Sequence, residues 1–378
     1  MASKSANRNF SLLIKPASAD CNLRCEYCFY LDRSSLYPET NKHRMSDEVL
    51  ETLIRSYLNT RQAAYSFGWQ GGEPTLMGLP FFQKVTELQE KYGRKGSIIS
   101  NGLQTNATLI DDEMARYLAR YKFLVGVSLD GPEDIHNRYR KKAGGGGTYN
   151  SVVKGLETLK RNNVEFNVLV LVTAANVEKP QAVYNHLTEL GIFYHQYIPC
   201  VEFDEHGKPL PWTISGEQWG TFLTTIFNVW QSRGDVRKIS IRNFDAVLQL
   251  LVTKQVVMCT MGRNCTQYFV VEHNGDIYPC DFFVQKDLFL GNISTSSWNE
   301  LKTNRIYKSF GRKKSEMNPL CSDCDYLRFC AGDCLKHRIY PGSDHKQLSW
   351  LCEGWKRFYR DTLPEFNNLA ELIRSERK

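Results

Sequence analysis

The stretch CNLRCEYCFY, residues 21–30, decides how the rest of the chain is read. It sets Cys21, Cys25 and Cys28 in a C-x3-C-x2-C pattern, followed by Phe29 and Tyr30, with no histidine among them and no fourth cysteine close by. A structural zinc site closes with four ligands and often uses histidine. Iron–sulfur clusters take thiolates, normally four for a [4Fe–4S] cube. With only three, one iron stays open to a small molecule. The missing fourth cysteine is therefore the informative feature.

The cysteines follow a short apolar run, SLLIKP (11–16), which predicts a strand. Five more strand candidates follow: YSFGWQ, GSIISN, FLVGVSLD, FNVLVLVT and YHQYIPCV. Helical patterns separate them near 46–59, 79–92, 111–120, 149–162 and 179–189, and another spans 215–231. Six such units predict a parallel sheet with right-handed crossovers. Ligands in such folds gather at the C-terminal ends of the strands. The distinctive segments lie there: Cys21 to Cys28 after the first strand, GGEP (71–74) after the second, SNG (100–102) after the third and LDGP (129–132) after the fourth.

After about residue 233 the alternation stops, and eight of the twelve cysteines fall between 259 and 352. Two domains are expected, residues 1–235 and 236–378. The polar start MASKSANRNF lacks the apolar core of a secretory signal, and no apolar run is long enough to span a bilayer. A cytoplasmic protein is expected, where disulfides are rare, so the cysteines point to metal or redox chemistry. The net charge of +7 is spread in short runs such as RYRKK (138–142), without the clustered stripe of a nucleic-acid footprint. Neither a nucleic-acid nor a membrane partner is expected. GGGG (144–147) lacks the Lys-Ser/Thr of a P-loop and reads as a flexible loop.

C-x3-C-x2-C with Tyr27 before the last cysteine resembles the signature of radical S-adenosylmethionine (SAM) enzymes. The resemblance implies an α/β fold, a partial (β/α)6 TIM-like barrel, which agrees with the six units above. It also implies a cluster that binds S-adenosyl-L-methionine and splits it to a 5′-deoxyadenosyl radical. By the same resemblance Gly71, Gly72 and Glu73 would approach the cofactor's amine, and Ser128 its ribose or methionine part. Arg140 would pair with its carboxylate, with Arg138 as a rival. Tyr27 and Val201 would pack around the adenosyl group. An ordinary βα turn, a strand-end hydroxyl and a solvated arginine would account for the same residues without a ligand.

The second region resembles the SPASM domain. Cys265 is followed after nine residues by Gly275 and after four more by Cys280; then come Cys321-x2-Cys324-x5-Cys330-x3-Cys334 and, after a gap of seventeen residues, Cys352. Cys259 supplies an eighth thiol. The resemblance implies two further [4Fe–4S] clusters, three in all. Cys259, Cys265, Cys280 and Cys334 would hold the nearer, and Cys321, Cys324, Cys330 and Cys352 the farther. Two zinc sites are the alternative. Cys200, the twelfth cysteine, reads as a small buried residue.

EHNGDIYPCDFFV (272–284) and LGNI (290–293) resemble the anaerobic sulfatase-maturating enzymes. That resemblance implies radical oxidation of a cysteine or serine to Cα-formylglycine, within a C/S-x-P/A-x-R segment of a nascent or unfolded sulfatase. Asp281 would take the proton, and Gln70 and Tyr30 would touch the peptide. A reductant such as flavodoxin or ferredoxin and a monomeric enzyme are expected. The alternative is another SPASM enzyme that crosslinks or matures a precursor peptide. Many of those carry an N-terminal recognition domain, and here the barrel is expected to start near residue 10. A tRNA-modifying radical enzyme would call for an RNA-binding domain and a basic stripe.

Overall fold

The computed structural model describes residues 9–377; most of the polar start discussed above lies outside the described residues. Six parallel strands form the centre: β1 (Ser11–Lys15), β2 (Ala64–Trp69), β3 (Ile98–Thr105), β4 (Leu124–Ser128), β5 (Phe166–Val172) and β6 (Tyr194–Pro199). All six correspond to strand candidates in the sequence. Among the described residues the sheet has ten strands. β7 (Ser240–Ile241) adds parallel to β6 at one edge. At the other, β8 (Tyr268–Glu272) runs parallel to β1 and continues through the antiparallel strands β9 (Asp276–Tyr278) and β10 (Gly291–Asn292). The order β10-β9-β8-β1-β2-β3-β4-β5-β6-β7 leaves the barrel open.

Helices cover the convex face: α1 (Asp47–Leu58), α2 (Gly78–Tyr92), α3 (Asp112–Arg120), α4 (Glu133–Tyr139), α5 (Tyr149–Arg161), α6 (Pro180–Glu189), α7 (Gly216–Ser232) and α8 (Arg242–Thr253). Their starts follow local chemistry. Ser46 accepts the Val49 amide at the head of α1, and Ser215 and Gln218 form a capping box at the head of α7. The α1 stripe Leu50, Leu53, Ile54, Tyr57 and Leu58 is buried, as its helical spacing requires. The cysteine-rich region adds α9 (Trp298–Thr303), α10 (Arg305–Lys313), α11 (Leu327–Cys330) and the long α12 (Cys352–Glu376).

The expected end of the alternation near residue 233 differs from the structure. β7 and α8 carry one more β/α step past it. β7 is two residues long, too short to show any periodicity in sequence. The concave face is lined by Leu13, Gly68, Gln70, Gly102, Gln104, Gly126, Asn167 and Gln196. Three glycines leave room there, and the amides give it an uncharged polar wall.

α12 crosses α7 at backbone contact. A Cβ on Gly354 would lie 2.0 Å from the Gly216 carbonyl, and one on Gly220 would lie 2.6 Å from the Gly354 carbonyl. Neither neighbour is a side chain that could swing away. Gly354→Ala should therefore cost about 1–3 kcal/mol through overpacking, read as a lower urea midpoint under anaerobic conditions. Cys352 opens α12, so the same variant should also hold less iron; an unchanged midpoint would show that the two helices part without cost.

Candidate active site and cysteine clusters

The loop after β1 turns sharply. The Ser18 amide donates to the Lys15 carbonyl at 3.0 Å and the Asp20 amide to the Ala17 carbonyl at 2.9 Å. The chain then runs through Cys21, Cys25 and Cys28. Its middle is pinned to the segment after α4: Arg24 N–H to the Lys141 carbonyl at 2.8 Å, and Glu26 N–H to the Tyr139 carbonyl at 3.0 Å. Cys25 packs among Leu23, Tyr27, Tyr139 and the buried Cys200. All twelve cysteines are free thiols.

Burial pushes the Cys21 thiol up to about 12 and Cys25 to about 11, and it raises Cys28 as well. Cys21 and Cys25 also feel the Cys28 charge, so the three thiols share one neighbourhood. Buried thiols of this kind are inert until a metal takes the place of the proton.

GGEP packs beneath this loop. Gly72 N–H donates to the Ser18 carbonyl at 2.6 Å and Glu73 N–H to the Asp20 carbonyl at 2.7 Å. A Cβ on Gly72 would sit 1.9 Å from the Asp20 oxygen, so glycine is required by backbone contact. Glu73 is fully buried and caps the following turn. Its Oε1 accepts from Thr75 N–H, Thr75 Oγ1 and Thr105 Oγ1, and its Oε2 from Asn106 N–H at 2.7 Å. Ser128 ends β4 and accepts from Gln104 Nε2 at 3.1 Å, and Val201 is buried just beyond β6.

Arg140 is buried beside the cysteine loop, whereas Arg138 is exposed. The Arg140 guanidinium is engaged by Asp130, with Nε to Oδ2 at 2.9 Å and Nη2 to Oδ1 at 3.3 Å. Tyr27 donates its hydroxyl to Asp130 Oδ2 at 2.5 Å, and Leu171 N–H reaches Oδ1 at 3.0 Å. One carboxylate thus ties β4, β5, the cysteine loop and the end of α4 together. Asp130 lies within LDGP, but its partners come from three other segments, and no local pattern announces them.

Asp281 follows Cys280 after β9. Lys15, fully buried at the end of β1, forms an ion pair with Asp281 Oδ1. Gln70 Nε2 donates to Asp281 Oδ2 at 3.1 Å, so the structure joins two residues singled out separately in the sequence. Tyr30 gives its hydroxyl to Glu272 Oε1, and Lys15 Nζ lies 4.2 Å from the centre of the Tyr30 ring. Tyr268 donates to Cys280 Sγ at 3.2 Å. Sequence reading missed Lys15, Glu272 and Tyr268. A lone lysine closing an apolar strand at its ligand-facing end was the available signal for the first.

The remaining cysteines separate into two groups. Cys321, Cys324, Cys330 and Cys352 line one pocket with Tyr326 and Lys356. Cys334 feels the charges of Cys280 and Cys259, Cys280 that of Cys265, and Cys265 that of Cys259. Burial raises the thiols of Cys259, Cys265, Cys321, Cys330 and Cys334, and pushes Cys280 up to about 12 and Cys352 to about 11. Among the described residues no three Cys, His, Asp or Glu side chains converge tightly enough to hold a single metal ion. Four thiols lining one pocket match the ligand count of a [4Fe–4S] cluster.

The family model described as the radical SAM superfamily matches residues 16–187, and that of an iron–sulfur cluster-binding domain, SPASM, matches residues 259–325. A serine-type anaerobic sulfatase-maturating enzyme of Bacteroides thetaiotaomicron is 38% identical over 97% of this chain and 92% of its own. A cysteine-type anaerobic sulfatase-maturating enzyme of Clostridium perfringens is 38% identical over 96% of this chain and 99% of its own. The chain belongs to the anaerobic sulfatase-maturating enzymes. The solved structure "Native anSMEcpe with bound AdoMet and Cp18Cys peptide" superposes with a TM-score of 0.90 at 37% identity, covering 96% of this chain and 99% of that one. This sulfatase-maturating enzyme is accordingly a radical SAM oxidoreductase that uses S-adenosylmethionine and [4Fe–4S] clusters.

Two outcomes follow from the Asp130 cluster. Asp130→Ala strands the buried Arg140 guanidinium and should lower stability by roughly 3–5 kcal/mol, measured by anaerobic urea unfolding; a loss below 1 kcal/mol would mean Arg140 finds water instead.

His136, in α4, accepts the Asp130 amide through Nδ1 at 3.3 Å. Burial lowers its pKa from 6.5 to about 4. The unfolded chain therefore binds the extra proton first. Stability should fall as pH drops from roughly 6.5 toward 4, by about 3 kcal/mol for this histidine. His136→Gln should flatten that part of the urea-midpoint profile, and an unchanged slope would place the effect elsewhere.

Proposed function

We propose that this chain oxidises the Cβ of a cysteine or serine in an unfolded sulfatase segment to give Cα-formylglycine. The supporting observation is the meeting of Asp281 and Gln70 at the mouth of the amide-lined barrel, one residue from Cys280. The near full-length likeness to sulfatase-maturating enzymes supports the sulfatase as substrate. The other SPASM reading, crosslinking or maturation of a precursor peptide, gains no separate observation.

The cofactors, when bound, supply a 5′-deoxyadenosyl radical that takes a hydrogen atom and iron–sulfur sites that take the remaining electron. Cys21, Cys25 and Cys28 would hold the cluster that binds S-adenosylmethionine. Cys259, Cys265, Cys280 and Cys334 would hold the nearer of the others, and Cys321, Cys324, Cys330 and Cys352 the farther. Tyr27, Ser128 and Val201 would border the bound cofactor. Gly71, Gly72 and Glu73 contribute by fixing the cysteine loop. Asp130 already occupies two donor groups of Arg140, which leaves the other amino group to face a cofactor carboxylate.

Asp281 accepts the thiol or hydroxyl proton of the target residue; an oxidised serine is then the aldehyde, and an oxidised cysteine is a thioaldehyde that water hydrolyses to the aldehyde with release of hydrogen sulfide. Lys15 keeps a positive charge against the far carboxylate oxygen, and Gln70 orients the near one, so the group meets the substrate in one attitude. Tyr30 buries its hydroxyl on Glu272 and presents its ring to the site. Flavodoxin or ferredoxin is the proposed class of reductant. Among the described residues no helix is long and apolar enough to cross a membrane; thiol chemistry of this kind suits the reducing cytoplasm.

Asp281→Asn preserves shape but cannot take the proton. With S-adenosylmethionine, reductant and a C-x-P-x-R peptide, it should still release 5′-deoxyadenosine and should make at least tenfold less aldehyde than the parent. Mass spectrometry of the peptide and chromatography of the nucleoside read both products from one anaerobic incubation. Near-normal aldehyde would move the base elsewhere.

A further inference from the structure

Two cations lie deep between the C-terminal cysteine groups. Lys314, the residue just after α10, is 0% exposed, and Arg338 is 1% exposed. Lys314 Nζ donates to the carbonyls of Thr260 and Asp333, the neighbours of Cys259 and Cys334. Arg338 donates through Nη1 to the His345 carbonyl at 3.0 Å and through Nη2 to the Lys314 carbonyl at 2.9 Å. Its Nε is buried with no hydrogen-bond partner among the described residues.

Among the described residues neither side chain forms an ion pair with a carboxylate. Asp333 adds a negative charge nearby, but it directs Oδ2 to His337 Nδ1 at 2.7 Å and Ser349 Oγ at 2.6 Å. One carboxylate, already engaged by His337 and Ser349, stands against two buried cations, and buried charge short of its counter-charge costs several kcal/mol unless something else compensates it. Besides Asp333, the acidic groups near these two are cysteines, drawn from both groups. Lys314 acts on Cys259, Cys265 and Cys334 of one and on Cys330 of the other. Arg338 stands near Cys265 and Cys334 of the first and Cys321 of the second.

We propose that Lys314 and Arg338 are shared counter-cations of the two C-terminal iron–sulfur sites, holding both at higher reduction potential than cysteine ligation alone would give. The inference rests on the ligand assignment of the previous subsection. A [4Fe–4S] core with four thiolates is a net anion, and reduction adds another negative charge. Fixed positive charge beside it favours the reduced state, since net charge and surroundings set the potential. An electron released during oxidation of the target residue then has an acceptor poised to take it. Lys314 and Arg338 are positioning residues for charge; neither needs to touch the substrate.

The test uses the full chain bearing Cys21→Ala, Cys25→Ala and Cys28→Ala, so that every iron–sulfur signal comes from the C-terminal region. About eight irons per chain are expected there. A parent without them overturns the ligand assignment and the counter-cations with it. Lys314→Met and Lys314→Arg are then titrated anaerobically against potential, with the clusters followed by electron paramagnetic resonance. Lys314→Met should shift both sites to more negative potential, while Lys314→Arg stays at the parent values. Loss of the clusters in Lys314→Met with their retention in Lys314→Arg also supports the charge. Unchanged potential at either site in a cluster-loaded Lys314→Met, or equal loss of clusters in both variants, overturns the proposal and leaves Lys314 a packing residue. Arg338→Gln is expected to shift both sites in the same direction as Lys314→Met.

Discussion

The pairing of β1 with β8 is the constraint on which the site depends. β1 is short, yet it is flanked on one side by β2 and on the other by β8, a strand more than 250 residues away in sequence. The register sets Lys15 opposite Glu272. From β8 the chain makes one hairpin through β9 and arrives at Cys280 and Asp281. Because strand side chains alternate, a one-residue slip would turn Glu272 and Lys15 to opposite faces. Asp281 would then lose its cation and Gln70 its partner. The sheet that belongs to the radical SAM part is therefore completed by the cysteine-rich part, and the candidate base lies at the seam.

What could be read from sequence was what is local. The six barrel strands and their helices carry their own periodicity, and the cysteine groups carry their own spacing. The glycines of GGEP were visible as a motif, but their reason was not. Gly72 must be glycine because the Asp20 carbonyl presses on it, a contact between segments fifty residues apart. Arg140 was legible as a basic residue near the site. Its bidentate hold on Asp130 was not, since nothing in LDGP announces a carboxylate shared with Tyr27 and Leu171. β7 was too short to register. Lys15 was hidden because a single lysine at a strand end is usually a solvated one.

The buried thiols explain why so much of the chain is devoted to holding loops. Raised thiol pKa values oppose the deprotonation that iron requires, so cluster binding must supply the free energy that burial withholds. The protein contributes order in advance. Backbone bonds from Arg24, Glu26, Gly72 and Glu73 fix the first loop, and Lys314 ties the segments carrying Cys259 and Cys334. Fixed backbone donors and buried cations cost little at the moment of binding, because their ordering was completed during folding.

Two carboxylates in this molecule show how environment separates a structural acid from the proposed proton acceptor. Asp130 accepts four bonds, two from Arg140 and one each from Tyr27 and Leu171 N–H, which fills the capacity of a carboxylate. It has no site left for a new proton donor and serves as a joint. Asp281 is also largely buried and also faces a cation. Among the described residues, Gln70 and Lys15 are the side chains that reach its carboxylate. Two partners leave lone pairs open toward a substrate proton, whereas Asp130 has none left. Filling those open positions would turn Asp281 into a second Asp130. Its fitness as the proposed proton acceptor thus rests on incomplete satisfaction, held in place by a strand pairing formed far away in sequence.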